Sequence, residues 1–198
     1  MVLRPRRFAP PKAVISHRTP YWFVVDMDWN YDEMVEERIM DKEQKYAAVL
    51  QSIRALVEGE EDCIAVMSTI ACELYHAFPY FNWVGFYRLV NAQTLKVGPY
   101  QGSHGCLTID IHRGVCGACV RTASIQLEND VSQVVDHIAC SSETKAEIVL
   151  PIMHATGDVV AVLDIDSIEA GVFDETDVLY LQAIVAIVQR VHGSSAEV

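Results

Sequence analysis

Basic residues are scarce: 15 Lys and Arg stand against 27 Asp and Glu, for a formal charge of −12. A surface of that sign repels phosphate, which argues against nucleic acid and anionic membranes as partners. Long apolar runs are also missing. No stretch reaches the roughly 18–20 uninterrupted apolar residues of a membrane helix, because Asp, Glu or Gln breaks the longest candidates. Nor is there an apolar signal-peptide core near the N-terminus, so a reducing, cytoplasmic setting is expected. In such a compartment the six cysteines do not imply permanent structural bridges. Internal repeats and low-complexity tracts are absent as well.

What is present is a chain of 198 residues, 51% of them hydrophobic, enough for one domain with a short extension and too apolar for wholesale disorder. Residues 1–29 form that extension, 30–193 the domain and 194–198 a tail. The extension begins with Arg4, Arg6, Arg7, Lys12 and Arg18 and no acid over its first twenty positions. Pro5, Pro10, Pro11 and Pro20 would break a transit-type amphipathic helix there. A basic tail is the simpler expectation, with organellar targeting left open. Tyr21–Val25 is an apolar stretch suited to packing on the domain or on a second subunit.

From Asn30 to Glu58 apolar residues recur at three- and four-residue spacing, which predicts an amphipathic helix with room for one break. A second helix runs from Asp62 to about Phe78, where Pro79 stops it. Cys63 and Cys72 on that helix read as small packing residues. Strands then follow at Asn82–Val90, Thr94–Tyr100 and Leu107–Ile111, a short helix after His112-Arg113-Gly114, and a small strand at Ser124–Leu127. Glu128–Lys145 has no periodicity. Ala146–Met153 and Val159–Ile165 form a hairpin, and a closing helix begins near Phe173–Asp177 and reaches His192. The order predicts an α+β fold: a central, mainly antiparallel sheet with N-terminal and C-terminal helices packed on it.

Two clusters carry chemistry. Cys106, Cys116, Cys119 and Cys140 fall within 35 positions in the loop-rich part of the chain. Cys116-Gly-Ala-Cys119 has the C-x-x-C spacing of zinc and thiol-redox pairs, and His104, His112 and His137 lie nearby. The second cluster is acidic. In Val162-Leu-Asp-Ile-Asp166 two carboxylates interrupt a hydrophobic strand at period two and so share a face. With a loop at Ala155–Asp158, His154 pairs with Val159 and Glu147 falls opposite Asp166, adding a third acid to that face. A slip of one residue would reverse this unless a bulge compensated. No Lys or Arg lies in either strand. Three such acids cannot all stay ionised when buried, so at least one keeps a proton near neutral pH. Thiols beside a proton donor suit sulfoxide reduction, in which a thiolate attacks sulfur while the oxygen is protonated. The resulting sulfenic acid condenses with a second cysteine to a disulfide that an external dithiol reopens.

Six segments, Asn82-Trp-Val-Gly-Phe-Tyr87, Gly98-Pro-Tyr-Gln-Gly102, Arg113-Gly-Val-Cys-Gly117, His137-Ile-Ala-Cys140, Glu147-Ile-Val-Leu-Pro151 and Val162-Leu-Asp-Ile-Asp-Ser167, together resemble the free methionine-(R)-sulfoxide reductases, single-domain enzymes of the GAF fold. The likeness runs in one order from about Asn30 to Val191. It implies reduction of the free R-epimer by a thiol cycle, with Cys140 attacking, Cys106 resolving and Cys116 as an alternative partner, and gives Cys119 no part. It also implies that Glu147, Asp164 and Asp166 bind the substrate amine and sulfoxide oxygen. Trp83 and Tyr87 become the wall around the methylthio end, and the backbone around Ile138 and Ala139 receives the carboxylate. No bound cofactor or metal is implied; the reductant is an external, thioredoxin-like dithiol, and a homodimer paired through terminal helices is a fair expectation. The sequence departs from the family at Ser103-His104-Gly105, a polar approach to Cys106. Two other readings stay open: a GAF module that senses a ligand or redox state without turnover, and a zinc protein using Cys116, Cys119 and two other Cys or His.

Overall fold

A computed structural model describes residues 41–134 and 141–194. The first described helix, α1 (Lys42–Leu56), starts where the Asp41 carboxylate accepts the Gln44 N–H at 2.8 Å, and it buries Tyr46, Val49, Leu50 and Ile53. The earlier part of the helix expected from Asn30, along with Tyr21–Val25, lies outside the described residues. Asp62 caps α2 (Cys63–Ala77) in the same way, accepting the N–H groups of Ile64 and Ala65. A cap of this kind satisfies N–H groups that have no partner inside the helix, and it places a negative charge at the positive end of the helix dipole.

The strands β1 (Phe81–Asn91), β2 (Thr94–Gly102), β3 (Thr108–Asp110), β4 (Gln126–Glu128), β5 (Ala146–Met153) and β6 (Val159–Ser167) form one six-stranded sheet in the order β3-β2-β1-β6-β5-β4. Every pairing is antiparallel. Between β3 and β4 lies α3 (Gly114–Thr122), and α4 (Glu175–Ser194) closes the domain. Alternation splits the sheet's side chains between two cores. Val84, Phe86, Ile148, Leu150, Leu163 and Ile165 pack against α1, α2 and α4. On the other face Trp83, Tyr87, Leu95, Val149 and Val162 pack against α3 through Val115, Cys116 and Cys119. The expected α+β arrangement is the one observed. No helix among the described residues is long and apolar enough to cross a membrane.

The β5–β6 hairpin differs from the expected register at its turn. Met153, not His154, pairs with Val159, and a bulge lies between Ile152 and Met153. Beyond the bulge the pairs are Ile152 with Ala161 and Glu147 with Asp166. The turn is therefore one residue out and the acidic end is as read, because the extra residue absorbs the slip.

One polar cluster fastens α1 to the start of α4. Asp177 is fully buried and accepts the Tyr46 hydroxyl at 2.8 Å and the Asp174 N–H at 2.7 Å, and it pairs with the Lys42 ammonium. Removing it leaves the buried Tyr46 hydroxyl without its acceptor, while Lys42 keeps only the Val172 carbonyl and the more exposed Asp174 carboxylate. Asp177→Ala is expected to cost about 3 kcal/mol of folding stability, measured by urea unfolding; a loss below about 1 kcal/mol would mean the cluster behaves as a surface pair.

Candidate active site

The acids expected to share a face do so. Glu147, Asp164 and Asp166 are only 6%, 6% and 8% exposed. Glu147 faces Asp166 across the hairpin, and Val149, next but one on β5, faces Asp164. All three project to the side of the sheet that carries Trp83 and Tyr87. Burial raises Asp164 and Asp166 well above the ordinary carboxylate range, with the Glu147 charge as the next cause for both. For Asp164 the direct contacts follow: the Cys116 thiol donates to its carboxylate, and a shared hydrogen bond with Glu147 favours its protonated form. The Oδ1 atom of Asp164 is buried with no hydrogen-bond partner among the described residues. Asp166 accepts the Thr144 hydroxyl, whose oxygen in turn receives Asn82 Nδ2 at 3.4 Å.

An aromatic wall stands across from the acids. Trp83 lies between Tyr87 and Tyr100, with ring centroids 5.5 Å and 5.4 Å away and planes within 22° and 16° of parallel. Gly85 makes the stack possible: a Cβ there would fall 2.5 Å from Trp83 Cη2 and 2.4 Å from Tyr100 Cβ. The indole N–H of Trp83 is buried without a partner among the described residues.

The cysteines separate by environment. Cys106 is disulfide-bonded and packs with Trp83, Tyr87 and Cys116 in the core on that side of the sheet. Cys116, on α3, carries a free thiol pushed well up, first by burial and then by the Asp164 charge. Cys119 is also a free, buried thiol, raised to about 12 by burial and donating to the Val149 carbonyl at 3.7 Å. Cys140, Ile138 and Ala139 lie outside the described residues. Away from the site, Cys63 packs against the helical core and Cys72 Sγ sits 3.7 Å from His76 Nδ1. A thiol must ionise to react. Peptide mapping after brief iodoacetamide treatment at pH 8 should therefore show Cys72 labelled at least ~10-fold faster than Cys116 or Cys119; equal labelling would place the α3 thiols in solvent.

Cys116 Sγ and carboxylate oxygens of Glu147 and Asp164 lie within 4.8 Å of one another, a spacing at which a small cation fits. Cys119 is not in that group, so among the described residues no zinc site is assembled on the C-x-x-C pair. A groove of about 880 Å³ runs between α1 and α4, past Gln51, Arg54, Glu58 and Arg190. It contains neither a cysteine nor a buried acid and is remote from the site. Thr144, Asn82 and Tyr100 escaped the sequence reading. Asn82 and Tyr100 lie inside the quoted motifs and were open to notice; Thr144 sits in an aperiodic stretch that gave no signal.

No family model matches the chain, but individual proteins do. It is 40% identical over 148 residues to Protein YtsP of Bacillus subtilis, spanning 74% of this chain and 90% of that protein. To the free methionine-R-sulfoxide reductase of Escherichia coli it is 37% identical over 152 residues, 77% of this chain and 91% of that one. Among solved structures, the free methionine-R-sulfoxide reductase of Neisseria meningitidis, in complex with its substrate, superimposes with a TM-score of 0.72 at 38% identity, covering 77% of this chain and 90% of that chain.

Proposed function

The chain belongs to the free methionine-R-sulfoxide reductases, oxidoreductases of the GAF fold, and from that membership we propose that it reduces free methionine (R)-sulfoxide through a thiol cycle run by Cys140 and Cys106. The substrate ammonium is drawn to the buried carboxylates of Glu147 and Asp164, where a cation relieves the repulsion between acids. Its methylthio end lies on Trp83 and Tyr87. The backbone N–H groups around Ile138 and Ala139 receive the carboxylate, a need peculiar to a free amino acid.

The Cys140 thiolate attacks the sulfoxide sulfur while Asp166, kept protonated by its burial, donates to the oxygen. The sulfur–oxygen bond breaks, methionine leaves, and the oxygen ends on Cys140 as a sulfenic acid. Cys106 then attacks that sulfur and expels water, forming a disulfide between the two cysteines. An external dithiol of the thioredoxin type reopens it. Cys116, its proton held toward Asp164, is the slower alternative partner.

The observation that carries this reading is the placement of a disulfide-bonded Cys106 on the same face as a buried acid cluster and an aromatic wall. The test is to incubate the purified chain with each epimer of methionine sulfoxide and dithiothreitol and to quantify methionine. Turnover of the free R-epimer, with the S-epimer and peptide-bound sulfoxide untouched, is expected. Binding without turnover would make the chain a sensing module instead.

A further inference from the structure

We infer that Tyr87 is a positioning residue for the resolving thiol, its phenolic oxygen fixing the Cys106 backbone while its ring walls the substrate pocket. The inference rests on the thiol cycle proposed above. Tyr87 is buried to within 1%, so its hydroxyl needs a protein partner, and the Cys106 backbone N–H supplies one by donating to it. The residue before Cys106 lies flat on the same rings. A Cβ at Gly105 would come 3.0 Å from Tyr87 Oη and 2.9 Å from Trp83 Cζ2, so only glycine allows so close an approach. That accounts for part of the departure at Ser103-His104-Gly105: the approach to Cys106 is shaped by contact with the wall.

On the far side the segment is tied again, where the Leu107 carbonyl accepts the Val97 N–H at 3.3 Å. Cys106 therefore hangs between two backbone anchors, one on β2 and one on the Tyr87 hydroxyl. The stack of Tyr87, Trp83 and Tyr100 leaves the floor beneath it little freedom to shift. This arrangement matters for the second chemical step, in which the Cys106 sulfur attacks the sulfenic sulfur, the sulfur–oxygen bond breaks and the thiol proton leaves with the hydroxide as water. Holding two reacting sulfurs in place is an entropic contribution that a loose segment would forfeit. The latch is observed with Cys106 oxidised, so it should favour the disulfide at equilibrium as well as hasten its closure.

Tyr87→Phe keeps the ring and deletes the acceptor. In a single turnover without reductant, methionine release and disulfide closure are followed separately, the latter by quenching with a sulfenic-acid trap. The ratio of closure rate to release rate is expected to fall about 5–10-fold, the size of one net hydrogen bond. Gly105→Ala, which lifts the segment off the rings with the hydroxyl intact, should lower the same ratio. Equilibration of each protein with dithiothreitol needs no substrate, and its disulfide-forming constant should fall by a similar factor in Tyr87→Phe. An unchanged ratio, or both rates falling in parallel, overturns the positioning role. Failure of the wild-type chain to release methionine in this assay would instead overturn the functional reading.

Discussion

Cys140→Ser is expected to abolish methionine formation, with a loss on the order of 10⁴-fold or more, as removal of a nucleophile typically gives. The cause is chemical. A serine hydroxyl is hardly ionised at neutral pH and attacks sulfur poorly, and it cannot take up the oxygen in the way that turns a thiol into a sulfenic acid. Cys106→Ser should separate the two halves of the cycle. Roughly one equivalent of methionine per site is expected in a burst, after which turnover slows because no thiol closes on the sulfenic acid. Cys119→Ser should keep nearly full activity, since that thiol is raised to about 12 and turned toward the Val149 carbonyl. The three variants are compared by quantifying methionine over time with dithiothreitol present, and mass spectrometry of the burst product reports the oxidised cysteine. Turnover by Cys140→Ser comparable to wild type would put the nucleophile elsewhere, and Cys106 would be next in line.

The acidic face was legible because its signal is local: two carboxylates at period two within an apolar strand share a side whatever the rest of the chain does. Adding Glu147 required the hairpin register, and there the reading succeeded only because the bulge at Ile152–Met153 restores the pairing that a turn one residue longer than expected offsets. A turn of the form His-Ala-Thr-Gly-Asp does not announce its bulge, since Gly157 can serve several turn types with its positive φ. The aromatic wall was half legible. Alternation placed Trp83 and Tyr87 together, while Tyr100 joins them from β2 across a register shift in the β1–β2 pairing that no sequence count predicts. The C-x-x-C spacing, in which the family resemblance gives Cys119 no part, brings its two thiols to different partners. Its two cysteines sit three apart on one helix, yet Cys116 meets Asp164 and Cys119 meets a β5 carbonyl, because the sheet beneath α3 offers different partners one turn apart. Thr144, which donates to Asp166, belongs to a segment without periodicity and emerges only from its position at the mouth of β5.

Asp166→Asn should lower turnover at neutral pH by at least ~10²-fold, the usual contribution of a positioned proton donor, and Glu147→Gln by at least as much because it removes the carboxylate proposed to hold the substrate ammonium. Asparagine keeps the shape of Asp166 and can still accept the Thr144 hydroxyl, so the loss isolates the proton. The pH dependence gives the sharper test. Asp166 acts in its protonated form, and burial with the Glu147 charge sets its pKa well above the ordinary range. The wild-type rate should therefore decline as pH rises through that raised value, and the limb assigned to this acid should vanish in Asp166→Asn. Stability follows from the same shift. Below pH ~4 both folded and unfolded chains carry the proton and the site costs nothing extra. As pH rises the unfolded chain ionises freely while the buried acid resists, so the folded state loses stability until its own raised pKa is passed. Asp166→Asn escapes that loss. It should be more stable than wild type at pH 7 by about 1–2 kcal/mol, with the gap closing toward pH 4, as read from urea unfolding at each pH. A variant that keeps wild-type turnover, or is destabilised at pH 7, would reduce Asp166 to a strand-end polar group and leave the sulfoxide oxygen without its acid.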